Sequence, residues 1–132
     1  MKHDVGTGVA DVSIQNEIYD IVNSHGKTEY RRIIEEKAGY PYVYHLADIR
    51  ANLISWLPVK QTDAVLELGA ECGALTETFA EMSDDVTFWT DTRLQAEIIR
   101  CRLQKNVSGA DCKKITALTG AWDEIAGGLL TY

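Results

Sequence analysis

The chain has 132 residues, of which 45% are hydrophobic and 25% are charged, and its formal net charge at neutral pH is -7. This composition is typical of one globular domain, and the acidity excludes nucleic acid as a default partner because phosphate backbones are repelled. No stretch reaches membrane-spanning length and the N-terminus lacks the apolar core of a secretory signal, so we expect a cytoplasmic protein with no membrane partner.

The chain contains three cysteines and three histidines. Cys72, Cys101 and Cys112 are odd in number and form no C-x-x-C pair, which argues against a disulfide framework and against a zinc site. The histidines are scattered, and none stands four residues from another. We therefore predict reduced thiols and no metal site.

The N-terminal region is predicted to be a small helical extension over residues 1–45. Residues 1–12 lack periodicity and are expected to be a poorly ordered terminus. Ser13 can cap a first amphipathic helix that ends near Gly26, and Thr28 can cap a second helix that ends at Gly39. The apolar stripe of the first helix is formed by Ile14, Ile18, Ile21 and Val22.

The next segment, residues 40–45, contains three tyrosines and is expected to be extended at Tyr40, because the following proline disfavours helical geometry there. These tyrosines could stack on a flat ligand or pack under the first helices, and packing is the favoured alternative. A helix is predicted to begin at Asp48 and to end at Pro58. Its apolar side would consist of Ile49, Leu53, Trp56 and Leu57.

Residues 63–76 read DAVLELGAECGALT, and the rest of the chain is organised around them. Val65 to Leu68 is a short apolar run, broken by the acid Glu67, which predicts a buried strand. Gly69 and Gly73 then predict a tight turn, after which the sequence takes up a helical period. A strand, a glycine turn and a helix in this order place free N–H groups beside a polar or anionic ligand.

Strand and helix alternate through the rest of the chain. The helix after the glycine turn is predicted to run to about Ser83 with Leu75, Phe79 and Met82 inward, and a strand over Val86 to Thr90 follows it. The next helix is predicted to begin at Thr92 or Arg93, with Leu94, Ile98 and Cys101 inward and Arg102 outward. A strand over Lys114 to Thr119 and a helical turn over Trp122 to Ile125 complete the predicted elements. This spacing predicts right-handed crossovers and a parallel sheet with helices on both faces. The expected fold class is α/β, with a partial doubly wound, Rossmann-like sheet of about three strands.

Spacing separates the ligand classes that use a glycine turn after a strand. A dinucleotide fingerprint requires G-x-G-x-x-G, whereas Gly69 and Gly73 are four residues apart. A phosphate loop requires a lysine and a hydroxyl after its last glycine, where this chain has Ala74 and Leu75. Neither class matches.

The sequence VLELGAECGALT at residues 65–76 resembles the first motif of the class I, Rossmann-like S-adenosylmethionine-dependent methyltransferases, whose usual form is an acid, an apolar residue and then G-x-G-x-G. The resemblance extends to YHLADIR at residues 44–50 and VTFW at residues 86–89, and covers roughly residues 42–126. It implies that residues 46–132 form the N-terminal half of a methyltransferase domain with S-adenosylmethionine as its cofactor.

The resemblance also implies roles for single residues. Gly69, Ala70 and Gly73 would shape the cofactor turn. Glu67 would orient that turn or the amino group of the cofactor, and its other interpretation is a strand-end acid that caps the turn. Glu71 stands where the family has its middle glycine, so its carboxylate would face the methionine part of the cofactor.

Three further residues lie at or next to the positions of the family's nucleoside contacts. Thr90 stands where the family has the acid that holds the ribose, and Asp91 follows one residue later, on the other side of a regular strand. Asp91 could instead cap the next helix, which is the favoured alternative. Trp122 stands where the family contacts the adenine, and core packing is equally expected for it. No catalytic base can be named.

The family's later strands and substrate-binding segments have no counterpart in this sequence, so it is expected to be a truncated domain that acts as an enzyme only when completed. The alternative is a catalytically inactive remnant that serves as a protein-interaction or oligomerisation module. In either case the first strand would leave an unpaired apolar edge. We expect the chain to self-associate through that edge or to cover it with its N-terminal segment.

Overall fold

The computed structural model describes the backbone of residues 2–130 and the side chains of residues 12–125. The helices are α1 Lys2–Ser24, α2 Tyr30–Lys37, α3 Tyr40–Leu46, α4 Thr76–Met82, α5 Arg93–Asn106 and α6 Trp122–Leu130, and the strands are β1 Ala64–Leu68, β2 Asp85–Thr90 and β3 Lys114–Thr119. Short 3-10 helices span Lys27–Glu29, Asp48–Leu53 and Ala110–Cys112.

The three strands form one parallel open sheet in the order β1, β2, β3. Leu66 pairs with Thr87, and Thr87 pairs with Thr116, so the strands are aligned and their carboxyl ends lie together at one end of the sheet. With its flanking helices, this sheet confirms the predicted α/β class and its partial Rossmann-like architecture. The strand boundaries agree with the predicted ones to within one residue.

The two crossover helices cover one face of the sheet. Phe88 of β2 packs there with Ala80 of α4 and with Ile99 and Leu103 of α5, and all four side chains are buried. Crossovers between parallel strands are nearly always right-handed, and two that step across the sheet in the same direction place their helices on the same side. On the opposite face Leu66 and Leu68 are 51% and 52% exposed, which corrects the prediction of a buried first strand.

The N-terminal helices build a second core on the far side of α5. Ile18 and Val22 of α1 pack with Ile33 of α2 and Ile98 of α5. Helix α1 therefore lies on α5 rather than along β1. The outer edge of β1 pairs with no strand among residues 2–130.

Two predictions on the N-terminal region are wrong. Helix α1 begins at Lys2 rather than at Ser13, so the backbone of residues 2–12 is regular. These residues include no proline, and extending an existing helix requires no new nucleation. Helix α2 ends at Lys37, before the predicted end at Gly39, and Ala38 after it takes the left-handed conformation with φ 53°.

The expected extended link at residues 40–45 is helix α3. Pro41 lies in its first turn, where a missing backbone N–H leaves no hydrogen bond unmade. The next segment, Asp48–Leu53, is a 3-10 helix and not an α-helix continuing to Pro58. Because a 3-10 helix has three residues per turn, side chains four apart leave a common face, and the predicted apolar side is exposed. Its members Ile49, Leu53 and Trp56 are 64%, 66% and 72% exposed.

Candidate functional site

The glycine turn lies at the carboxyl end of β1, where the sequence predicted it. Gly69 and Gly73 have φ values of +77° and +88°, a region that L side chains rarely adopt. The N–H groups of Gly69 and Ala70 both donate to the carbonyl of Trp89, at 3.0 and 2.8 Å, which ties the turn to the end of β2. Gly69, Ala70 and Gly73 therefore shape a turn between two parallel strand ends.

Gly73 is also a point of close approach. A Cβ added there would lie 2.9 Å from Cγ1 of Ile99, which is fully buried in α5. The same addition at Gly69 would meet nothing within 4 Å. Gly73 thus serves helix packing, whereas Gly69 leaves open space beside the turn.

Glu67 points back to the helix that follows the turn. The Thr76 hydroxyl donates to Glu67 Oε1 at 2.6 Å, so the carboxylate ties β1 to the first residue of α4. Burial raises the pKa of Glu67, while the Thr76 hydrogen bond and the positive charge of Arg50 act in the opposite direction. This contact agrees with the interpretation of Glu67 as a strand-end acid that fixes the turn.

Glu71 points towards α3. Its backbone is left-handed with φ 54°, and its Oε2 accepts a hydrogen bond from the Tyr44 hydroxyl at 2.8 Å. That hydrogen bond raises the pKa of Tyr44. The guanidinium carbon of Arg50 lies 4.2 Å from the centroid of the Tyr44 ring. A carboxylate, a phenol and a guanidinium therefore meet next to the glycine turn.

A cavity of about 580 Å³ opens at this place, and we call it the acidic cavity. Its wall includes Tyr40, Tyr44, Glu71, Asp91 and Gln95, with residues of α1 on one side. The volume falls within the usual range for small-molecule sites. Glu71 follows β1 and Asp91 follows β2, so the acidic cavity lies at the carboxyl ends of two adjacent parallel strands, the usual ligand position in such sheets.

Thr90 lies behind the wall of the acidic cavity. Its side chain is buried, and its hydroxyl lies 2.7 Å from Gln95 Oε1 and 3.1 Å from the Glu71 carbonyl oxygen. A single hydroxyl proton serves these two acceptors, so Thr90 holds the turn against α5. Thr90 does not line the acidic cavity, and Asp91 is the residue of this pair that reaches it.

Asp91 does not cap the following helix, so the favoured interpretation of Asp91 as a helix cap is wrong. Thr92 does so, because its side chain accepts from the Gln95 N–H at 3.1 Å while Gln95 Oε1 accepts from the Thr92 N–H at 3.3 Å. This reciprocal arrangement is a capping box. The Asp91 carboxylate is exposed at the rim of the acidic cavity and free of the capping role.

Trp122 packs against another tryptophan instead of the acidic cavity. Its ring centroid lies 5.3 Å from that of Trp89, and the Trp89 indole N–H donates to the Gly120 carbonyl at 3.1 Å. Trp89 shares the open face of the sheet with Leu68, its register partner. Trp122 was expected either to contact an adenine or to pack in the protein, and the structure shows it packed against Trp89.

One of the three tyrosines of α3 packs on a core and the other two line the acidic cavity. Tyr42 packs on the N-terminal core, and its hydroxyl donates to Glu17 at 2.8 Å. Tyr40 and Tyr44, four residues apart on the helix, line the acidic cavity with ring centroids 5.7 Å apart. Their spacing would have revealed this shared face if the segment had been recognised as a helix.

Arg102 is an interior residue that the sequence placed on the solvent face of α5. Its side chain is 3% exposed, its Nε donates to Glu77, and its Nη1 donates to the carbonyls of His45 and Cys72 at 2.6 and 2.8 Å. Arg102 and Glu77 form part of the wall of a second cavity of about 630 Å³ between α2 and α4. Charged residues in a helical pattern usually face water, and nothing local marks this pair as buried.

The three cysteines differ in burial, from the buried Cys72 to the exposed Cys112. Burial raises the pKa of Cys72 to about 12, which keeps it a neutral thiol. In the described residues all three cysteines are free, and no group of three or more histidine, cysteine or acidic side chains could hold a metal ion.

No described helix is both long and apolar enough to cross a bilayer.

Comparison of the chain with protein-family models, with curated proteins and with solved structures found no match.

Proposed function

We propose that the chain is the cofactor-binding half of an S-adenosylmethionine-dependent methyltransferase domain. The observation that carries the proposal is the glycine turn itself, whose left-handed Glu71 lines the acidic cavity at the carboxyl ends of two parallel strands. Ligands of open α/β sheets bind at this end of the strands. The size of the cavity, its tyrosine rings and its carboxylates fit a nucleoside that carries a positive sulfonium group.

The residues would divide the work as follows. Asp91 is the acid within reach of a ribose, Tyr40 and Tyr44 offer flat surfaces, and Glu71 faces the charged part of the ligand. When bound, the cofactor supplies an electrophilic methyl group. The chain's contribution to methyl transfer would be positioning, which by itself can provide a large part of a rate enhancement.

Thermal unfolding with added S-adenosylmethionine or its demethylated product, S-adenosylhomocysteine, tests this proposal. A ligand at a hundred times its dissociation constant stabilises the folded state by about 2.7 kcal/mol, so an upward shift in Tm is expected. Asp91→Trp should abolish the shift by filling the mouth of the acidic cavity, whereas Asp111→Trp, on an exposed 3-10 helix, should preserve it. The absence of any shift at millimolar concentrations of both compounds would contradict the proposal.

A second candidate function is assembly with another copy through β1. Its basis is the free outer edge of β1 together with the half-exposed Leu66 and Leu68. In an antiparallel pairing centred on Leu66, each Glu67 would face Val65 of the other copy rather than a like charge. This candidate and the methyltransferase proposal are compatible.

Sedimentation velocity tests the second candidate. We expect a dimer whose population falls in the Leu66→Lys variant, because a charge would be placed at the centre of the pairing. Val43→Lys makes the same change at an exposed apolar residue of α3 and should leave the dimer intact. A monomer at all accessible concentrations would rule out assembly through this edge.

A further inference from the structure

We propose that the acidic cavity recognises the positive charge of its ligand, a sulfonium or ammonium group, and that Glu71 is the residue that sets this preference. The inference rests on the proposed function, since it concerns the ligand of the same cavity. It goes further because it states that the charged form of the ligand is bound more tightly than the neutral form.

The charge of the wall is the first argument. Two carboxylates, Glu71 and Asp91, line the acidic cavity, and within residues 12–125 its lining includes His45 but no lysine or arginine. A concave surface with charge of one sign concentrates ions of the opposite sign, and the net charge of -7 on the whole chain acts in the same direction. The cavity therefore favours cations over neutral or anionic ligands.

The orientation of Glu71 is the second argument. Its left-handed backbone and the 2.8 Å hydrogen bond from Tyr44 fix the carboxylate at the wall. An ionised carboxylate offers about four acceptor positions, so one hydrogen bond leaves most of its capacity available. Glu71 is partly buried, and its field in the cavity is therefore screened less than that of the exposed Asp91.

The tyrosine rings are the third argument. The face of an aromatic ring attracts cations, and Tyr40 presents its ring at the cavity with the residue 73% exposed. The face of Tyr44 already contacts Arg50, at 4.2 Å. Tyr40 is thus the ring available to a ligand cation, and Glu71 is the counter-charge in the same cavity.

A sulfonium nucleoside and its thioether product form a suitable pair of probes. S-adenosylmethionine and S-adenosylhomocysteine differ by one methyl group and one positive charge. We expect the chain to bind the sulfonium form at least about tenfold more tightly, which corresponds to about 1.4 kcal/mol. The expected consequence is release of the neutral product after methyl transfer.

Isothermal titration calorimetry of the intact chain with both compounds measures this ratio of affinities. Glu71→Gln keeps an acceptor for Tyr44 and removes only the charge, so the ratio should fall towards one. Glu35→Gln removes the same charge from an exposed position outside the acidic cavity and should leave the ratio unchanged. Tyr40→Leu, at an exposed site where the fold is not at risk, should lower the ratio in part.

The outcomes separate this inference from the proposed function. If neither compound binds, both fail. If the two compounds bind with equal affinity, or if the ratio survives in Glu71→Gln, the charge preference is overturned while nucleoside binding stands.

Discussion

Arg102 of α5 and Glu77 of α4 form an ion pair in the interior of the protein, with side chains 3% and 9% exposed. Arg102 also donates to the carbonyls of His45 and Cys72, so this one side chain joins α3, the glycine turn, α4 and α5. Removing one partner of a buried pair leaves an uncompensated charge. We expect Arg102→Met to lower the free energy of unfolding by about 3–5 kcal/mol, measured by urea denaturation.

Arg100→Met provides the matched control for this prediction. Arg100 lies on the same helix with its side chain 61% exposed, and its loss should change stability by no more than about 0.5 kcal/mol. Combining Glu77→Leu with Arg102→Met should recover part of the loss, because no buried charge then lacks a partner. Equal effects of Arg100→Met and Arg102→Met would show that the pair is unimportant.

The two left-handed glycines of the turn should differ in their tolerance of alanine. Gly69→Ala meets no atom within 4 Å and should cost about 1–2 kcal/mol from backbone geometry alone. Gly73→Ala has the same geometric penalty and places its Cβ 2.9 Å from Ile99, so a further loss of about 1–3 kcal/mol is expected. Chemical denaturation of both variants checks this order, and the reverse order would show that the turn does not press on α5.

The sheet and its crossovers were predictable because their signals are local. The run at Val65 to Leu68 and the glycine turn each specify their own conformation, and the structure has β1 and the turn in these places. Pairing and direction then follow from the spacing of the strands.

The interior was less predictable because burial depends on contacts that are distant in sequence. Arg102 follows the periodicity of an exposed residue, and its partner Glu77 lies 25 residues away. The acidic cavity depends on α3, where the proline rule favoured an extended chain while the first turn of a helix also accepts proline. Glu71 and Asp91 were predicted as site residues, whereas Tyr40 and Tyr44 required the helix to bring them together.

The three cysteines should react in the order of their exposure. Cys112 is exposed, whereas the Cys72 thiol is 1% exposed and burial raises its pKa to about 12. Because the thiolate is the reactive form, labelling of Cys112 by a maleimide should be more than about a hundredfold faster than labelling of Cys72. Mass spectrometry of timed samples measures both rates.

The control for this prediction is Cys112→Ser, which should remove the fast phase of labelling. In denaturant Cys72 should react as fast as the other thiols, because its protection comes from the fold. Rapid labelling of Cys72 in the native protein would contradict its burial beneath the N-terminal core.

Glu67 should make stability depend on pH in a direction opposite to that of an ordinary paired carboxylate. Burial raises its pKa in the folded state above its value in the unfolded chain. Between these two pKa values the folded state binds more protons, so the free energy of unfolding falls as pH rises through this window. Glu67→Gln removes the charge and keeps an oxygen for the Thr76 hydroxyl, so its stability relative to the natural chain should improve as the pH rises through this window.

Glu97→Gln is the control for the effect of Glu67, because Glu97 lies on the exposed side of α5 with its side chain 60% exposed. Its stability relative to the natural chain should stay nearly constant over the same range of pH. Urea denaturation of the three proteins at several pH values supplies the comparison. A Glu67→Gln variant that loses stability relative to the natural chain as pH rises would mean that the ionised carboxylate is favoured in the fold, with the Thr76 hydrogen bond and Arg50 outweighing burial.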